Sequence, residues 1–209
     1  MSDIVVHSKS FDNSILTWTK PIDDERYLLE NICLDSSEKV MLGTYTAQRR
    51  RTEWLSTRYL LQQTLPDAKI TYDRNGKPYL KNRKESIAIS HCKDFISLFI
   101  NLNGKNVGLD CETISSKVEK ISHKFARNEL SFIHSDKTAH LTVIWCAKEA
   151  LFKLYSIGSV DFNEDLRIDS FEFCAEGGTF TGRIFKQNEQ IYRMNYQIIG
   201  NCIFVWVSE

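Results

Sequence analysis

Two stretches of the chain have the spacing of apolar residues that is typical of helices. Residues 44–65, TYTAQRRRTEWLSTRYLLQQTL, combine good helix formers with a helical repeat and are followed by Pro66, which cannot continue a helix. This segment is predicted to be the first long helix. A second helical region is predicted over residues 115–156, in at least two pieces.

Short segments with the composition of β-strands accompany the helical regions. Between the two regions they are KITY, SIAIS, FISLFINL and NVGLDCE, with turn signals at Asn75-Gly76 and Asn103-Gly104. After the second region they are LRIDSFEF, GTFTGRIF, IYRMNYQII and CIFVWVS. The order of helix and then strands thus occurs twice, without a fixed-period repeat or a flexible linker. We therefore predict two α+β lobes, residues 1–105 and 106–209, that pack directly and form a site in the cleft between them.

The charge balance argues against partners that bind through a strong global field. The 209 residues include 27 Lys and Arg and 27 Asp and Glu, so electrostatic recognition must come from local patches. No window approaches the roughly 18 consecutive apolar residues of a membrane span, and the opening MSDIVVHSKS lacks the pattern of a secretory leader. We expect a cytoplasmic protein without a nucleic-acid or membrane partner. Its six scattered cysteines indicate reduced, mostly buried thiols instead of a disulfide or zinc framework.

The segment VGLDCE places two acids, Asp110 and Glu112, two residues apart. On a strand such residues point to the same face. The apolar residues before them suggest a buried strand, in which unpaired like charges are costly. A hard divalent cation such as Mg²⁺, which prefers carboxylate and phosphate oxygens, would suit this pair. The alternative is a strand that ends at Leu109, with both acids facing solvent.

The segment WCAKEALFKLY, residues 145–155, brings charge into an otherwise apolar helix. Its core stripe consists of Ile144, Ala147, Leu151 and Leu154. Glu149 and Lys153 lie roughly opposite that stripe and share a face, where an exposed i,i+4 ion pair would explain them. Trp145 and Phe152 lie near Glu149 on the helical wheel, which indicates the border of a cleft instead of open solvent. Glu149 would then complete a carboxylate set with the two acids of VGLDCE.

Three further segments are able to bind phosphate, and each also has an ordinary structural explanation. NGKPY, residues 75–79, is a common hairpin turn. ISHC places His91 at the end of a strand, where structural histidines are more common than functional ones. QRRRTEW places Arg49, Arg50 and Arg51 near the start of a helix, where charges usually face solvent. Phosphate would be bound by the bidentate fork of arginine or by the free N–H groups at the helix start.

The two acidic motifs together resemble the signature of the 4′-phosphopantetheinyl transferase superfamily. VGLDCE supplies a glycine, an apolar residue and Asp-x-Glu. WCAKEALFK begins 35 residues after Asp110 and supplies an aromatic residue, a small residue, Lys-Glu and a lysine four positions after the Glu. GKPYL, ISHC and RRRTEW are similar to accessory motifs of the family. The matches run from about Arg51 to Lys153, and the chain length is similar to that of the surfactin-type, two-lobed monomeric branch.

This resemblance implies two similar α+β lobes with coenzyme A in the cleft between them. It also implies transfer of the 4′-phosphopantetheine group of coenzyme A to a serine of an apo acyl, peptidyl or aryl carrier protein. Mg²⁺ would be the cofactor and 3′,5′-ADP the second product.

The resemblance also implies roles for individual residues. The implied metal ligands are Asp110, Glu112 and Glu149. Cys111, between the first two, is excluded because a hard metal does not favour a thiol. The implied coenzyme-binding residues are Arg51, Lys77, Ser90, His91 and Lys153, with Lys148 as a candidate for either phosphate binding or helix packing. Asp110, Glu149 and Lys153 are the implied catalytic residues, and Glu149 is the best placed to take the proton of the serine.

Residues 115–130, SSKVEKISHKFARNEL, are predicted to form a helix with a basic stripe beside an apolar stripe. The basic stripe consists of Lys117, Lys120, Lys124 and Arg127, and the apolar stripe of Val118, Ile121 and Phe125. A solvated face is the ordinary explanation, and a docking site for an acidic carrier protein is the functional one. Two other classes of function compete with the transferase: a relative that binds coenzyme A or a carrier without transfer, and an RNA-binding module, which net neutrality disfavours.

Overall fold

Eleven strands form three antiparallel sheets in the computed structural model, which describes residues 4–134 and 136–209. The strands are β1 (His7–Phe11), β2 (Ser14–Thr19), β3 (Ile70–Tyr72), β4 (Pro78–Leu80), β5 (Ser86–His91), β6 (Ile96–Asn101), β7 (Val107–Thr113), β8 (Leu166–Ile168), β9 (Gly178–Lys186), β10 (Asn188–Ile199) and β11 (Cys202–Ser208). The helices are α1 (Glu25–Asn31), α2 (Ser36–Thr44), α3 (Gln48–Thr64), α4 (Lys117–Ile121) and α5 (Lys137–Tyr155). This mixture of helices and antiparallel sheets is an α+β fold.

The first large sheet has the strand order β1-β2-β6-β5 and is covered by α3. Leu60 and Leu61 of α3 are fully buried in one cluster with Ile96 and Leu98 of β6. The predicted long helix is confirmed, although Thr44 belongs to α2 and the chain turns before α3 begins. Strands β1 and β2 and helices α1 and α2 were not predicted.

Helix α2 nevertheless has a signal that can be read from the sequence. Asp35 accepts a hydrogen bond from the backbone N–H of Glu38, and the Glu38 side chain accepts one from the backbone N–H of Asp35. This reciprocal capping box is encoded by the spacing Asp-x-x-Glu. The start of α2 could therefore have been predicted from that spacing.

The second large sheet has the order β7-β11-β10-β9-β8, and α5 packs across it. The predicted core stripe of α5 is confirmed, because Ile144, Ala147 and Leu151 are fully buried. Gly108 allows α5 to approach β7 closely, since a Cβ atom at this position would lie 1.9 Å from the carbonyl oxygen of Ala150. The glycine of VGLDCE thus brings the acids of β7 next to the charged face of α5. Among the described residues, no helix is both long and apolar enough to cross a membrane.

A buried cluster contains residues of both large sheets. Leu16 and Phe99 from the first sheet pack with Leu109, Phe204 and Trp206 from the second. The first sheet ends at residue 101 and the second begins at residue 107. The predicted boundary near residue 105 falls between the two sheets. The division into two lobes stays a prediction, and residues 1–3 of the first lobe lie outside the described residues.

The prediction of one helix over residues 115–130 is wrong. Helix α4 ends at Ile121 and is followed by the 3₁₀ helices Ser122–Lys124 and Leu130–Phe132, so the second helical region does consist of several pieces. The segment leaves the helical path because Phe125 and Glu129 are drawn into the interior, where both are fully buried. Helical periodicity therefore does not describe this segment beyond α4.

Candidate active site

A cavity of about 590 Å³ lies between α3, the turn before β4, strand β5 and the end of α5. Its walls contain residues from both sides of position 105, including Trp54, His91 and Lys153. Several cations line it, namely Arg50, Arg58, Lys77 and Lys153, together with the carboxylate of Glu53. A cavity with this excess of positive charge suits a phosphorylated ligand.

Strand β7 continues through both acids of VGLDCE. Asp110 is opposite Val205 and Glu112 is opposite Ile203 in the antiparallel register with β11. Asp110 is only 5% exposed and Glu112 is half-buried. The alternative in which the strand ends at Leu109, with both acids in solvent, is therefore wrong. Cys111, on the opposite face, is buried in the cluster between the two large sheets.

Asp110 is held by a network that joins β5, β7 and α5. Its Oδ1 atom accepts hydrogen bonds from the Ser90 hydroxyl at 2.8 Å and from Lys153 Nζ at 2.7 Å. Lys153 also donates to the carbonyl oxygen of Leu109 at 2.9 Å. Ser90 Oγ in turn accepts from the backbone N–H of Cys111. Ser90 thus orients Asp110, and Lys153, which lines the cavity, connects Asp110 to that space.

The charge of Asp110 affects the pKa values of the other two acids, Glu112 and Glu149. Burial, followed by the negative charge of Asp110, raises the pKa of Glu112 to about 7. Burial and then Asp110 also raise the pKa of Glu149. For Lys153, burial opposes the charged form, but the charges of Asp110 and Glu149 outweigh it and raise the pKa. These couplings agree with the prediction that Glu149 joins a carboxylate set with Asp110 and Glu112, and Lys153 pairs with Asp110 instead of forming a simple surface pair with Glu149.

The three acids Asp110, Glu112 and Glu149 have electrostatic features that a bound divalent cation would satisfy. Asp110 Oδ2 is buried and has no hydrogen-bond partner among the described residues, while burial and then the charge of Asp110 raise the pKa of Glu112 and Glu149. A hard cation bound by these oxygens would satisfy the first group and relieve the repulsion of the other two. In the described part of the chain, no three His, Cys, Asp or Glu side chains are already arranged as a metal cluster.

Lys77 and His91 both line the cavity, as the sequence suggested. Lys77 Nζ donates to the side chain of Asn106 at 3.3 Å and to the carbonyl oxygen of Leu154 at 3.5 Å. His91 Nε2 lies 3.7 Å from Glu53 Oε2. Burial lowers the pKa of both Lys77 and His91. Lys77 is a partly buried cation, whereas His91 is exposed and favours the neutral ring, so the lysine supplies charge and the histidine supplies a hydrogen bond to a ligand in the cavity.

The assignment of Arg51 to the ligand needs correction. Its guanidinium donates to both carboxylate oxygens of Glu25 and to the carbonyl oxygens of Leu42 and Tyr45. These contacts hold α1, α2 and α3 together. The neighbouring Arg50 is exposed and lines the cavity instead. The helical phase thus turns Arg50 toward the cavity, although the family resemblance had implied only Arg51 of the arginine run as a coenzyme-binding residue.

Two further residues of α3 were missed by the sequence analysis. Glu53 lines the cavity between Arg49, whose Nε donates to it at 2.8 Å, and His91. Trp54 also lines the cavity, and its indole N–H has no partner among the described residues. Both residues directly follow the arginine run in the sequence, so the position of that run at the start of α3 could have indicated them as further cavity-lining residues.

The cofactor-binding alternative for Lys148 is also corrected. Lys148 Nζ is fully buried, forms an ion pair with Glu129 Oε1 at 2.7 Å and donates to the carbonyl oxygen of Phe162 at 2.8 Å. Glu129 Oε1 also accepts from the backbone N–H of Ile168 at 3.1 Å. The lysine therefore fastens α5 to the irregular segment before it and to β8. This is the helix-packing role, and Lys148 is not among the residues that line the cavity.

The residues of the predicted basic stripe lie on the surface, although they do not belong to one continuous helix. Its members Lys117, Lys120, Lys124 and Arg127 are all exposed. Arg127 lies 3.4 Å from Glu164, and both side chains are largely in solvent. Of the predicted apolar stripe, Val118 and Phe125 are buried but Ile121 is exposed.

Residues 106–198 match the model of the 4′-phosphopantetheinyl transferase superfamily. The match supports this superfamily. It covers somewhat less than half of the chain and includes both acidic motifs, strand β7 and helix α5. It also supports a phosphopantetheinyl transferase activity in general. The comparison with curated proteins found no match.

Proposed function

We propose that the protein transfers the 4′-phosphopantetheine group of coenzyme A to a serine of an apo carrier protein and releases 3′,5′-ADP. One observation carries the proposal: Asp110 and Lys153, which come from the two motifs, form a 2.7 Å pair at the wall of a cation-lined cavity. That pair couples to the carboxylates of Glu112 and Glu149. An acidic cluster beside a cationic cavity suits a substrate with a pyrophosphate and further phosphate groups.

The proposal includes the arrangement of a surfactin-type monomer. Residues 1–105 and 106–209 would form two similar lobes, with coenzyme A in the cavity between α3, β5 and α5. The cavity walls, to which residues before and after position 105 contribute, support this placement. The volume of about 590 Å³ is within the usual range for a small-molecule site.

We assign the metal-binding role to Asp110, Glu112 and Glu149. When bound, Mg²⁺ would neutralise negative charge on the pyrophosphate oxygens. The buried Asp110 Oδ2 atom and the raised pKa of the other two acids support this assignment. Ser90 and Lys153 fix the other oxygen of Asp110, so the aspartate would be oriented before the ligand arrives.

Three cations and one histidine would bind and orient the coenzyme. Lys153 lies at the acidic cluster and would contact the phosphate nearest the reaction. Lys77, His91 and Arg50 line other parts of the cavity and would hold the remaining phosphate and nucleotide groups. These residues would hold the substrate in one orientation, which supplies much of the rate enhancement in phosphoryl transfer.

Glu149 would accept the proton of the attacking serine. It lies on the same helix face as Lys153, and burial together with Asp110 raises its pKa, which makes its carboxylate a better base than an exposed glutamate.

The carrier protein would dock on the exposed surface of Lys117, Lys120, Lys124 and Arg127, between the two motifs in sequence. Acidic carriers would be steered by this surface more than they would be tightly bound.

Mass spectrometry of the acceptor tests the proposal directly. The protein is incubated with coenzyme A, Mg²⁺ and a panel of apo acyl, peptidyl and aryl carrier domains, and we expect at least one carrier to gain a 4′-phosphopantetheine group. Glu149→Gln should abolish the gain. Glu30→Gln, an exposed carboxylate outside the cavity, is the matched control and should leave it unchanged. Coenzyme A binding without any mass gain across the panel would instead identify a non-catalytic binding protein.

A further inference from the structure

Three cysteine thiols that the proposed active site does not use meet between the two large sheets. Cys92 is 9% exposed, and Cys111 and Cys202 are each 1% exposed. The Sγ atoms of Cys92 and Cys202 lie 3.7 Å apart, although 110 residues separate them in the sequence. Their scattered positions in the sequence gave no indication of this proximity.

Cys92 and Cys202 approach each other from different sheets. Cys92 follows β5 directly and opens the turn to β6, where its backbone N–H donates to the carbonyl oxygen of Phe95. Cys202 is the first residue of β11 and is opposite Thr113 of β7. A covalent bond between them would therefore fasten the first sheet to the second, immediately beside His91 at the cavity wall.

The surroundings of the pair suit thiolate chemistry. Hydrogen bonding with the Cys111 thiol, and then with the backbone of Asp94 and the Cys202 thiol, lowers the pKa of Cys92 to about 6, against the effect of burial. While Cys92 is protonated, its thiol donates to Cys202 Sγ. The Cys202 thiol donates to Asp94 Oδ2 at 3.5 Å. Hydrogen bonding to Cys92, and then burial, raise the pKa of Cys111, to which Ser97 donates at 3.4 Å. Cys92 is thus the nucleophile of the cluster, and Asp94 is placed to receive the proton of Cys202.

We propose that Cys92 and Cys202 form a reversible disulfide when the protein meets a hydroperoxide. The Cys92 thiolate attacks one peroxide oxygen, the O–O bond breaks, and Cys92 becomes a sulfenic acid while the leaving hydroxide takes up a proton. Cys202 sulfur then displaces the sulfenic oxygen, and its proton passes to that oxygen by way of Asp94. Two thiols and one hydrogen peroxide thereby give one disulfide and two waters.

The bond would affect the cavity as well as the cysteines. A disulfide has an S–S length of about 2.05 Å, so its formation brings the two Sγ atoms closer than their present 3.7 Å and constrains the turn after β5 relative to β11. His91 precedes Cys92, and we expect its position at the cavity wall to change. If the proposed transferase function holds, on which this consequence rests, the oxidised protein will have a higher KM for coenzyme A than the reduced protein, and dithiothreitol will restore the original value.

The test maps the bond without reference to activity. In a Cys33→Ser/Cys174→Ser background, which removes the two exposed thiols, the protein is treated with hydrogen peroxide, unfolded and titrated for thiols. We expect the loss of two thiols per chain, a Cys92–Cys202 linked peptide in non-reducing mass spectrometry, and full recovery with dithiothreitol. The fully buried Cys146 is an internal control and should remain a thiol.

Two further variants make the outcome decisive. Cys202→Ser should prevent the link and leave a sulfenic acid at Cys92 that dimedone traps, whereas Cys111→Ser should still form the link. A Cys92–Cys111 peptide, or full retention of thiols at peroxide levels that oxidise glutathione, would overturn the proposal. Since these readouts involve no carrier or coenzyme, their failure is distinguishable from failure of the proposed transferase activity.

Discussion

Two lysines of α5 form ion pairs of equal length in unlike surroundings. Lys148 lies 2.7 Å from Glu129 and both side chains are completely buried, whereas Lys153 lies 2.7 Å from Asp110 and its side chain is 30% exposed. Each pair leaves one carboxylate oxygen without a partner among the described residues. Neither the distance nor that oxygen distinguishes a structural pair from a functional one.

The neighbours of the two pairs do distinguish them. Glu129 also accepts from the backbone N–H of Ile168, and Lys148 also donates to the carbonyl of Phe162, so this pair connects structural elements. Lys153 lines a cavity, and its partner Asp110 adds to the effect of burial in raising the pKa of two further acids, Glu112 and Glu149. A buried pair without access to a ligand acts on stability, and a pair at a cavity acts on binding and chemistry.

The largest expected effect is on stability, from Lys148→Met. The substitution leaves Glu129 buried without a counterion, which typically costs about 3–5 kcal/mol. Urea denaturation should show a loss of this size in the free energy of unfolding. Lys186→Met is the matched control, since Lys186 pairs with Asp165 at 2.6 Å but both side chains are partly exposed, and it should cost about 1 kcal/mol or less.

The double variant Lys148→Met/Glu129→Leu examines the same pair from the other side. If the cost of the single substitution comes from an uncompensated charge, removal of the carboxylate should recover part of it. Equal stabilities of Lys148→Met and Lys186→Met would contradict the structural role assigned to Lys148.

The next effect is on the proposed transfer reaction, from Lys153→Met. Loss of a preorganised cation at the developing charge should lower kcat/KM by roughly 10²–10³-fold. The free energy of unfolding should fall by less than in Lys148→Met, because the site is open to solvent on one side. Kinetics with coenzyme A and a carrier, combined with urea denaturation, measure both quantities. A Lys153 variant that keeps its activity but loses as much stability as Lys148→Met would reverse our assignment of the two lysines.

Arg50 and Arg51 of α3 differ in the same way as the two lysines: Arg50 lines the cavity, and Arg51 connects structural elements. Arg50→Ala should raise the KM for coenzyme A by about tenfold with little change in kcat, because it removes one charge-assisted contact remote from the reacting phosphorus. Arg51→Ala should instead lower the free energy of unfolding, since it breaks the contacts to Glu25, Leu42 and Tyr45. Steady-state kinetics and denaturation of both variants separate the two effects. A larger KM effect for Arg51→Ala would restore the original sequence-based assignment.

These corrections show which part of the site could be predicted from the sequence. Asp110 and Glu112 were placed correctly by the two-residue repeat of a strand, and Glu149 and Lys153 by the repeat of a helix. Lys148 could not be placed, because its partner Glu129 lies in an irregular segment without periodicity.

The fold was predicted to a similar extent. The strands from β5 to β7 and from β9 to β11 contain aliphatic or aromatic residues in alternation with polar ones or in short runs, and their positions were recovered. Strand β1 was not, since HSKSF is polar and exposed at a sheet edge. Arg51 was misassigned for a related reason: its partner Glu25 lies in α1, which was not predicted.

The smallest effect concerns a further titratable side chain in the interior on α5, in addition to Lys148 and Lys153. His140 is 2% exposed among Phe132, Phe171 and Phe173, and neither ring nitrogen has a hydrogen-bond partner within the described residues. Burial lowers its pKa, and the charge of His134 adds to this effect while that of Glu172 opposes it.

Unlike Lys148, His140 can therefore remain inside only as the neutral form. The unfolded chain binds a proton near the ordinary histidine pKa of about 6.5, whereas the folded protein binds it only at lower pH. The stability associated with His140 is thus complete above pH of about 6.5 and is lost as the pH falls from there toward the folded pKa, by at most about 1.4 kcal/mol per pH unit. Urea denaturation from pH 7.5 to 5 should show this slope, and it should be smaller in His140→Phe by up to that amount. His123→Gln, at an exposed position, is the control and should keep the wild-type slope. An identical slope in His140→Phe and the wild type would mean that His140 is protonated in the folded protein, and a buried cation on α5 would then persist without the partner that Lys148 has.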